Sequence, residues 1–301
     1  MTKTQAWIHA FRLRTLPLAL SSIITGAFLA YFDGGFNWQV SVLAVVTTVL
    51  LQVLSNLAND YGDSNHGVDN VDRVGPKRAV QSGLISSKQM KRAVILVSIL
   101  AFISGVLLLV FGLGKTLLSF KFLVFLILGV GSILAAIKYT VGKNPYGYSG
   151  FGDLFVFIFF GLVGVIGTYF LNTGVWHSDI ILPAISLGLF SAGVLNLNNM
   201  RDIDNDRNSG KITLVVKMGS KNAKVYHLAL LAIGMATAVL FSALNYSTYF
   251  QFIYLLTFPL FIKNLFVVFQ NHQPKLLDPF LKQLALSTLI FSIAFGFSLL
   301  F

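Results

Sequence analysis

Nine apolar runs, at approximately 16–32, 39–58, 93–113, 117–137, 153–172, 179–198, 226–244, 248–270 and 283–301, fill most of this chain and leave few folds open to it. A helix needs about 20 apolar residues to cross roughly 30 Å of hydrocarbon. Inside a bilayer only helices and closed barrels satisfy their own backbone. Runs of this length and number specify an all-α, polytopic membrane protein. The composition agrees: only 11% of the 301 residues are charged, against about 25% in a soluble domain. The eighth run is the least regular, because Pro259 is expected to kink it and Lys263 lies within it.

The segment before the first run carries Trp7, Phe11, Arg12 and Arg14. It reads as an uncleaved interfacial segment rather than a cleaved secretory signal, because further spans follow. Trp7 and Phe11, at i and i+4, suit a membrane-interface anchor. The net charge of +11 does not call for nucleic acid, since the basic residues are interspersed with the spans. With the N-terminus in the cytoplasm, the segments 59–92, 138–152, 199–225 and 271–282 share that side. Counting Lys263 with the cytoplasmic end of its span, only Lys115 and Lys121 of the 22 Lys and Arg then fall elsewhere, as the positive-inside rule requires. The chain has no Cys, so disulfides, thiolate zinc and Fe–S clusters are excluded. His9, His66, His177, His227 and His272 are too scattered to form a metal constellation.

All 11 acids are Asp, and seven fall in two short stretches. The first contains Asn56, Asp60 and Asp63, followed by Asp69 and Asp72. The second contains Asn198, Asp202, Asp204 and Asp206. In a helix, side chains four apart share a face, so Asn198, Asp202 and Asp206 form one stripe if the sixth helix continues through them. Asn56, Asp60 and Asp63 form another, with Gly62 expected to end the helix. Hard oxygens in a row at a membrane boundary suit Mg²⁺, although Asp also caps helix ends. Each stretch is followed by bases: Arg73, Lys77 and Arg78 in one, and Arg207, Lys211 and Lys217 in the other. Acids that hold a cation beside bases that hold an anion are what a Mg²⁺–diphosphate complex requires. The competing account of the bases is a topogenic charge run. Both stretches open on the same side, and their common layout suggests two related halves, about 1–140 and 141–301, of one domain spanning 1–301.

No Walker-type or dinucleotide Gly-rich loop is present, which argues against nucleotide chemistry. The segment between the clusters holds Tyr139, Lys143, Tyr146 and Tyr148. These rings could stack on an aromatic ligand or face a cation, or simply belong to an interfacial aromatic belt. A cation-coupled carrier also places Asp within membranes, but here the acids gather at one face rather than at mid-bilayer.

Asn56-x₃-Asp60-x₂-Asp63 with Asn198-x₃-Asp202-x₃-Asp206, on nine spans, resembles the UbiA-type intramembrane prenyltransferases. Arg12-Leu-Arg-Thr-Leu-Pro17, Gln81-Ser-Gly83, Pro145-Tyr-Gly-Tyr148 and Lys211-Ile-Thr-Leu-Val-Val-Lys217 extend the resemblance over most of the chain. It implies about nine helices around a central cavity in a bacterial inner membrane, with the active site toward the cytoplasm. Mg²⁺ would be held by Asn56, Asp60, Asp63, Asn198, Asp202 and Asp206. The four Asp and Tyr148 would be catalytic. Substrate would be bound by Asn56, Arg73, Lys77, Arg78, Tyr139, Lys143, Tyr146, Arg201, Lys211 and Lys217. The implied substrates are a polyprenyl diphosphate and 1,4-dihydroxy-2-naphthoate, as in menaquinone synthesis. Another aromatic acceptor is the alternative within the family. The first motif departs from even spacing because Ser64 stands where a third acid is expected, so Asp63 is expected to replace it.

Overall fold

The computed structural model describes residues 2–68, 78–114 and 119–301, which contain helices and no strands. Helix α1 (Lys3–Phe11) is opened by a reciprocal cap between Thr2 and Gln5, and Arg12, at φ 49°, turns the chain sharply into the bilayer. The spans are α2 (Leu16–Phe32), α3 (Trp38–Asn65), α4 (Ser87–Leu113), α5 (Phe120–Lys138), α6 (Gly152–Thr173) and α7 (Ile181–Arg201). A short α8 (Ile203–Asn208) precedes α9 (Leu214–Leu244), α10 (Tyr249–Gln270) and α11 (Asp278–Ser298). Among the described residues, 9 helices are long and apolar enough to cross a membrane. Arg73, Lys77, Asp69, Asp72 and Lys115 lie outside the described residues.

Several helix ends differ from their expected places, for identifiable reasons. Helix α3 continues past Gly62 to Asn65. Gly62 is needed for close approach instead, since a Cβ there would lie 2.5 Å from the Thr140 carbonyl oxygen. Helix α9 begins at Leu214 rather than near 226, because Thr213 caps its N-terminus, and Gly219, at φ 78°, breaks its first turns. Pro259 does not kink a helix. The segment Tyr249–Thr257 is a 3₁₀ helix, and Pro259 sits in the first turn of the α-helix that follows, where its missing N–H leaves no hydrogen bond unmade. Ser86 and Gln89 cap each other reciprocally at the start of α4.

Helix α7 is the most enclosed span and packs on α6, α9 and α11, whereas α2 bridges α3, α6 and α11. Large rings fill this side of the molecule: Phe190, Phe241, Phe261, Phe291, Phe295 and Tyr254 are all buried. Because successive spans alternate in direction, the turns after α3, α5 and α7 meet at one end. His66 Nε2 lies 3.0 Å from the Gly142 carbonyl oxygen, and Ile212 N–H donates to the Tyr148 carbonyl at 3.1 Å. At the opposite end, Tyr169 donates to the Asp33 carboxylate and Asn37 N–H to Asn172.

Candidate active site at the motif end of the cavity

A cavity of about 540 Å³ opens at the end where these turns meet. Asn56 and Asp63 from α3, Asn198, Arg201 and Asp202 from the end of α7, and Asn205, Asp206 and Lys211 beyond it all line its polar mouth. The topology brings the two Asn/Asp motifs, over 130 residues apart in sequence, onto one space.

The motifs are built differently. On α3 the helix is unbroken, so Asn56, Asp60 and Asp63 lie along it as their spacing predicts. Asn56 spends its amide on the Phe11 carbonyl and Thr15 Oγ1, both at 3.0 Å. Asp63 accepts from Arg78 at 2.5 Å and from Tyr148 Oη at 2.6 Å. Asp60 faces away from the cavity: its two oxygens accept from the Ala79 and Val80 backbone N–H groups at 3.0 and 3.3 Å. It anchors the segment that returns over α3. In the second motif, α7 ends at Arg201, and Asp202 leaves helical geometry at φ −98°, ψ 10° before α8 resumes. The single-helix stripe expected from Asn198 to Asp206 is therefore broken at its middle member. The three side chains still face one cavity.

Arg201 is buried, and its guanidinium is enclosed by acceptors. It forks onto both oxygens of Asp202 at 2.9 and 2.6 Å, reaches Asn198 Oδ1 at 2.9 Å, and pairs with Asp278 of α11 at 2.5 Å. Lys211 Nζ sits 3.3 Å from Asp206 Oδ1 and 5.8 Å from the centre of the Tyr148 ring. The other oxygen of Asp206 and Oδ1 of Asn205 are buried with no hydrogen-bond partner among the described residues. Burial, reinforced by the Asp202 and Asp63 carboxylates, pushes the Asp206 carboxyl up to about 6, although Lys211 pulls it back. Tyr139 and Tyr146 line the cavity and meet edge to face at 5.4 Å. Burial raises both phenols above their ordinary range, and for Tyr139 the Asp153, Asp63 and Asp206 carboxylates add to it.

The remaining expected residues fall elsewhere. Tyr148 does not line the cavity but touches the site through Asp63 and Lys211. Lys217 donates to the Ser149 carbonyl from an exposed position, and Lys143 is exposed on the turn after α5, with neither lining the cavity. Arg12, Arg14, Asp278 and Lys282 line the cavity although sequence reasoning did not select them. Asp278 opens a span and precedes a proline, which reads as an ordinary helix cap. Its pairing with Arg201 depends on packing between α7 and α11.

A family model described as the UbiA prenyltransferase family matches residues 19–293. The 1,4-dihydroxy-2-naphthoate octaprenyltransferase of Haemophilus influenzae is 45% identical over 99% of this chain and 96% of its own length. The Escherichia coli protein of the same name is 43% identical over 98% and 95%, and the Mycobacterium tuberculosis one 33% over 100% and 99%. Among solved structures, a UbiA homolog from Aeropyrum pernix K1 superposes with a TM-score of 0.69 at 20% identity, covering 97% of both chains.

Proposed function

The chain belongs to the UbiA prenyltransferase family, and from that premise we propose that it transfers a polyprenyl group from polyprenyl diphosphate to 1,4-dihydroxy-2-naphthoate, with loss of carbon dioxide, in menaquinone biosynthesis. The observation that carries this reading is the convergence of both Asn/Asp motifs, with Arg78 and Lys211, at the polar mouth of an otherwise apolar cavity. Full-length relatives named for this reaction support the choice of acceptor.

The donor set suits a hard divalent cation. The mouth presents carboxylate and amide oxygens, and there one buried carboxylate oxygen of Asp206 and the buried amide oxygen of Asn205 have no hydrogen-bond partner among the described residues. Mg²⁺ would be held by Asp63, Asp202 and Asp206 with Asn56 and Asn198, and when bound it neutralises the departing diphosphate. Arg78 and Lys211 stand beside two of these acids and meet the remaining charge of the leaving group. Cleavage of the allylic C–O bond leaves a carbocation, which the faces of Tyr139 and Tyr146 shield inside a cavity walled by apolar side chains. The naphthoate ring attacks through the carbon that bears its carboxylate. A C–C bond forms, the carboxylate leaves as carbon dioxide, and its bonding pair restores the aromatic ring. The tail lies in the apolar part of the cavity and passes between helices into lipid.

Purified protein given a polyprenyl diphosphate, Mg²⁺ and dihydroxynaphthoate is expected to yield a prenylated naphthoquinol lacking the carboxyl group, and none after chelation of divalent ions. Preference for 4-hydroxybenzoate, or a naphthoate product that keeps its carboxyl, would reject this acceptor. The basic residues gathered at the motif end favour a cytoplasmic site in the bacterial inner membrane. In this Cys-free chain, a cysteine at His66 or Gly210 should then react with reagents only from the cytoplasm, and one near Gly35 only from outside; the reverse pattern would invert the orientation.

A further inference from the structure

Each motif acid on the cavity wall is paired with a base. Arg78 lies 2.5 Å from Asp63, Lys211 3.3 Å from Asp206, and Arg201 2.6 Å from Asp202. Arg201 is held in a way of its own. Its Nε and Nη2 fork onto the two oxygens of Asp202, and the same Nη2 reaches Asn198 Oδ1. Its Nη1 donates to Asp278 Oδ1 at 2.5 Å. One guanidinium thus spans two carboxylates, one inside the second motif and one outside both motifs.

The two carboxylates are placed unequally. Asp202 is buried with Arg201, at 7% and 3% side-chain exposure, whereas Asp278 keeps 39%. Asp278 opens α11, and the turn before that helix, Pro274–Leu277, packs on α7. The contact between the two helices therefore fixes where Asp278 stands. Lys282, one turn further along the same face of α11, lines the cavity with it.

The fork engages both of the Asp202 oxygens that a cation needs, and its charge repels a divalent ion at that distance. Withdrawing Arg201 to nothing would strand a buried charge, which is strongly unfavourable. Asp278 removes that obstacle. It already holds one corner of the guanidinium, and it is the more exposed of the two acids.

We propose that Asp278 is a positioning residue for the reaction: Arg201 passes its fork from Asp202 to Asp278 when a divalent cation takes Asp202. The inference rests on the prenyl-transfer reading, in which Asp202 holds metal, and adds to it a residue outside both motifs that sets how readily the second motif accepts a cation. No charge is left unpaired by the exchange, because Asp278 keeps Arg201 while Asp202 keeps the cation.

The test measures Mn²⁺ binding to the purified full-length protein, without diphosphate, through loss of the aqueous Mn²⁺ electron-spin resonance. Arg201→Gln is expected to bind Mn²⁺ about tenfold more tightly than the wild type, since Asp202 is then free of the fork. Asp278→Asn is expected to bind about tenfold more weakly, because Arg201 is left with Asp202 as its only charged partner. In the Arg201→Gln background, Asp278→Asn should change nothing, whereas a plain loss of negative charge near the cation would weaken binding in both backgrounds. Arg201→Lys, which keeps the charge and loses the fork, stands in if Arg201→Gln does not accumulate, and it should reduce the effect of Asp278→Asn to about twofold. Unchanged affinity in a folded Asp278→Asn protein, equal losses in both backgrounds, weaker binding in Arg201→Gln, or no Mn²⁺ binding by any of the proteins would overturn the assignment. Product from the wild type with Mg²⁺ and a polyprenyl diphosphate checks the prenyl-transfer reading separately. Its absence would remove that reading, whichever way the Mn²⁺ series falls.

Discussion

At the end of α3 every acid oxygen has a partner: Asp60 is held by two backbone N–H groups of the returning segment, and Asp63 by Arg78 and Tyr148. At the end of α7, Asp202 and Asp278 share one guanidinium, and Asp206 keeps an oxygen with no hydrogen-bond partner among the described residues. Two stretches of nearly the same composition are thus satisfied in different ways. The difference arises where the chain turns. An unbroken α3 leaves Asp60 on the side where the segment from Arg78 folds back, whereas the break at Asp202 tips α8 so that Asp206 faces the cavity. Spacing along a helix decides which acids share a face. The chain that packs against that face decides which of them remain available to a ligand.

The sharpest way to break this comparison is Asp206→Asn. Turnover should fall about 10³-fold, while thermal unfolding in detergent stays unchanged, because the variant removes a buried, half-satisfied charge and retains an acceptor for Lys211. Retained turnover with a lowered unfolding temperature would make Asp206 a structural acid like Asp60. The raised carboxyl adds a pH signature. The Asp206 carboxyl is raised from 3.8 to about 6, so the metal-free fold holds this proton more tightly than the unfolded chain does. Its stabilising contribution is present below about 4 and is lost as pH rises through about 6. Because a cation must displace the same proton, Mg²⁺ affinity should fall by up to about tenfold per pH unit below 6. Titrations on the wild type and Asp206→Asn would show the slope in the first and its loss in the second.

Asp60→Ala should act on the opposite property. One buried and one half-buried backbone donor lose their acceptor, at about 2–3 kcal/mol of stability, and activity falls because Arg78 is no longer held over Asp63. Asp60→Asn keeps an acceptor oxygen and should recover much of both. A stable Asp60→Ala protein with no turnover would instead place Asp60 at the chemistry and erase the asymmetry.

Much of this was legible in the sequence, for physical reasons. Apolar length fixes the spans, and an i, i+4 spacing fixes a helical face, so the membrane class and the pairing of the motifs follow directly. The asymmetry between Asp60 and Asp206 does not, because it depends on which backbone N–H groups return to α3. Arg201 looked like a ligand for anions. It is enclosed by Asp202, Asn198 and Asp278, the last supplied by a helix far along the chain. Lys143 and Lys217 carry the right charge at the right end but do not line the cavity: Lys143 is exposed on the turn after α5, and Lys217, in the first turn of α9, donates to the Ser149 carbonyl.

An odd number of spans has one more effect. Alternating helices lie antiparallel to their sequence neighbours, so their dipoles oppose. Where the ring closes, α2 meets α11, and both run in the same direction. Two helix N-termini therefore stand together at the mouth, each opened by a proline, Pro17 and Pro279, with Leu18 and Pro279 on the cavity wall. Their aligned peptide groups place a partial positive charge on that side of the opening. Unlike Arg14 or Lys282, this part of the field belongs to the backbone: no proton removes it and no side-chain replacement deletes it.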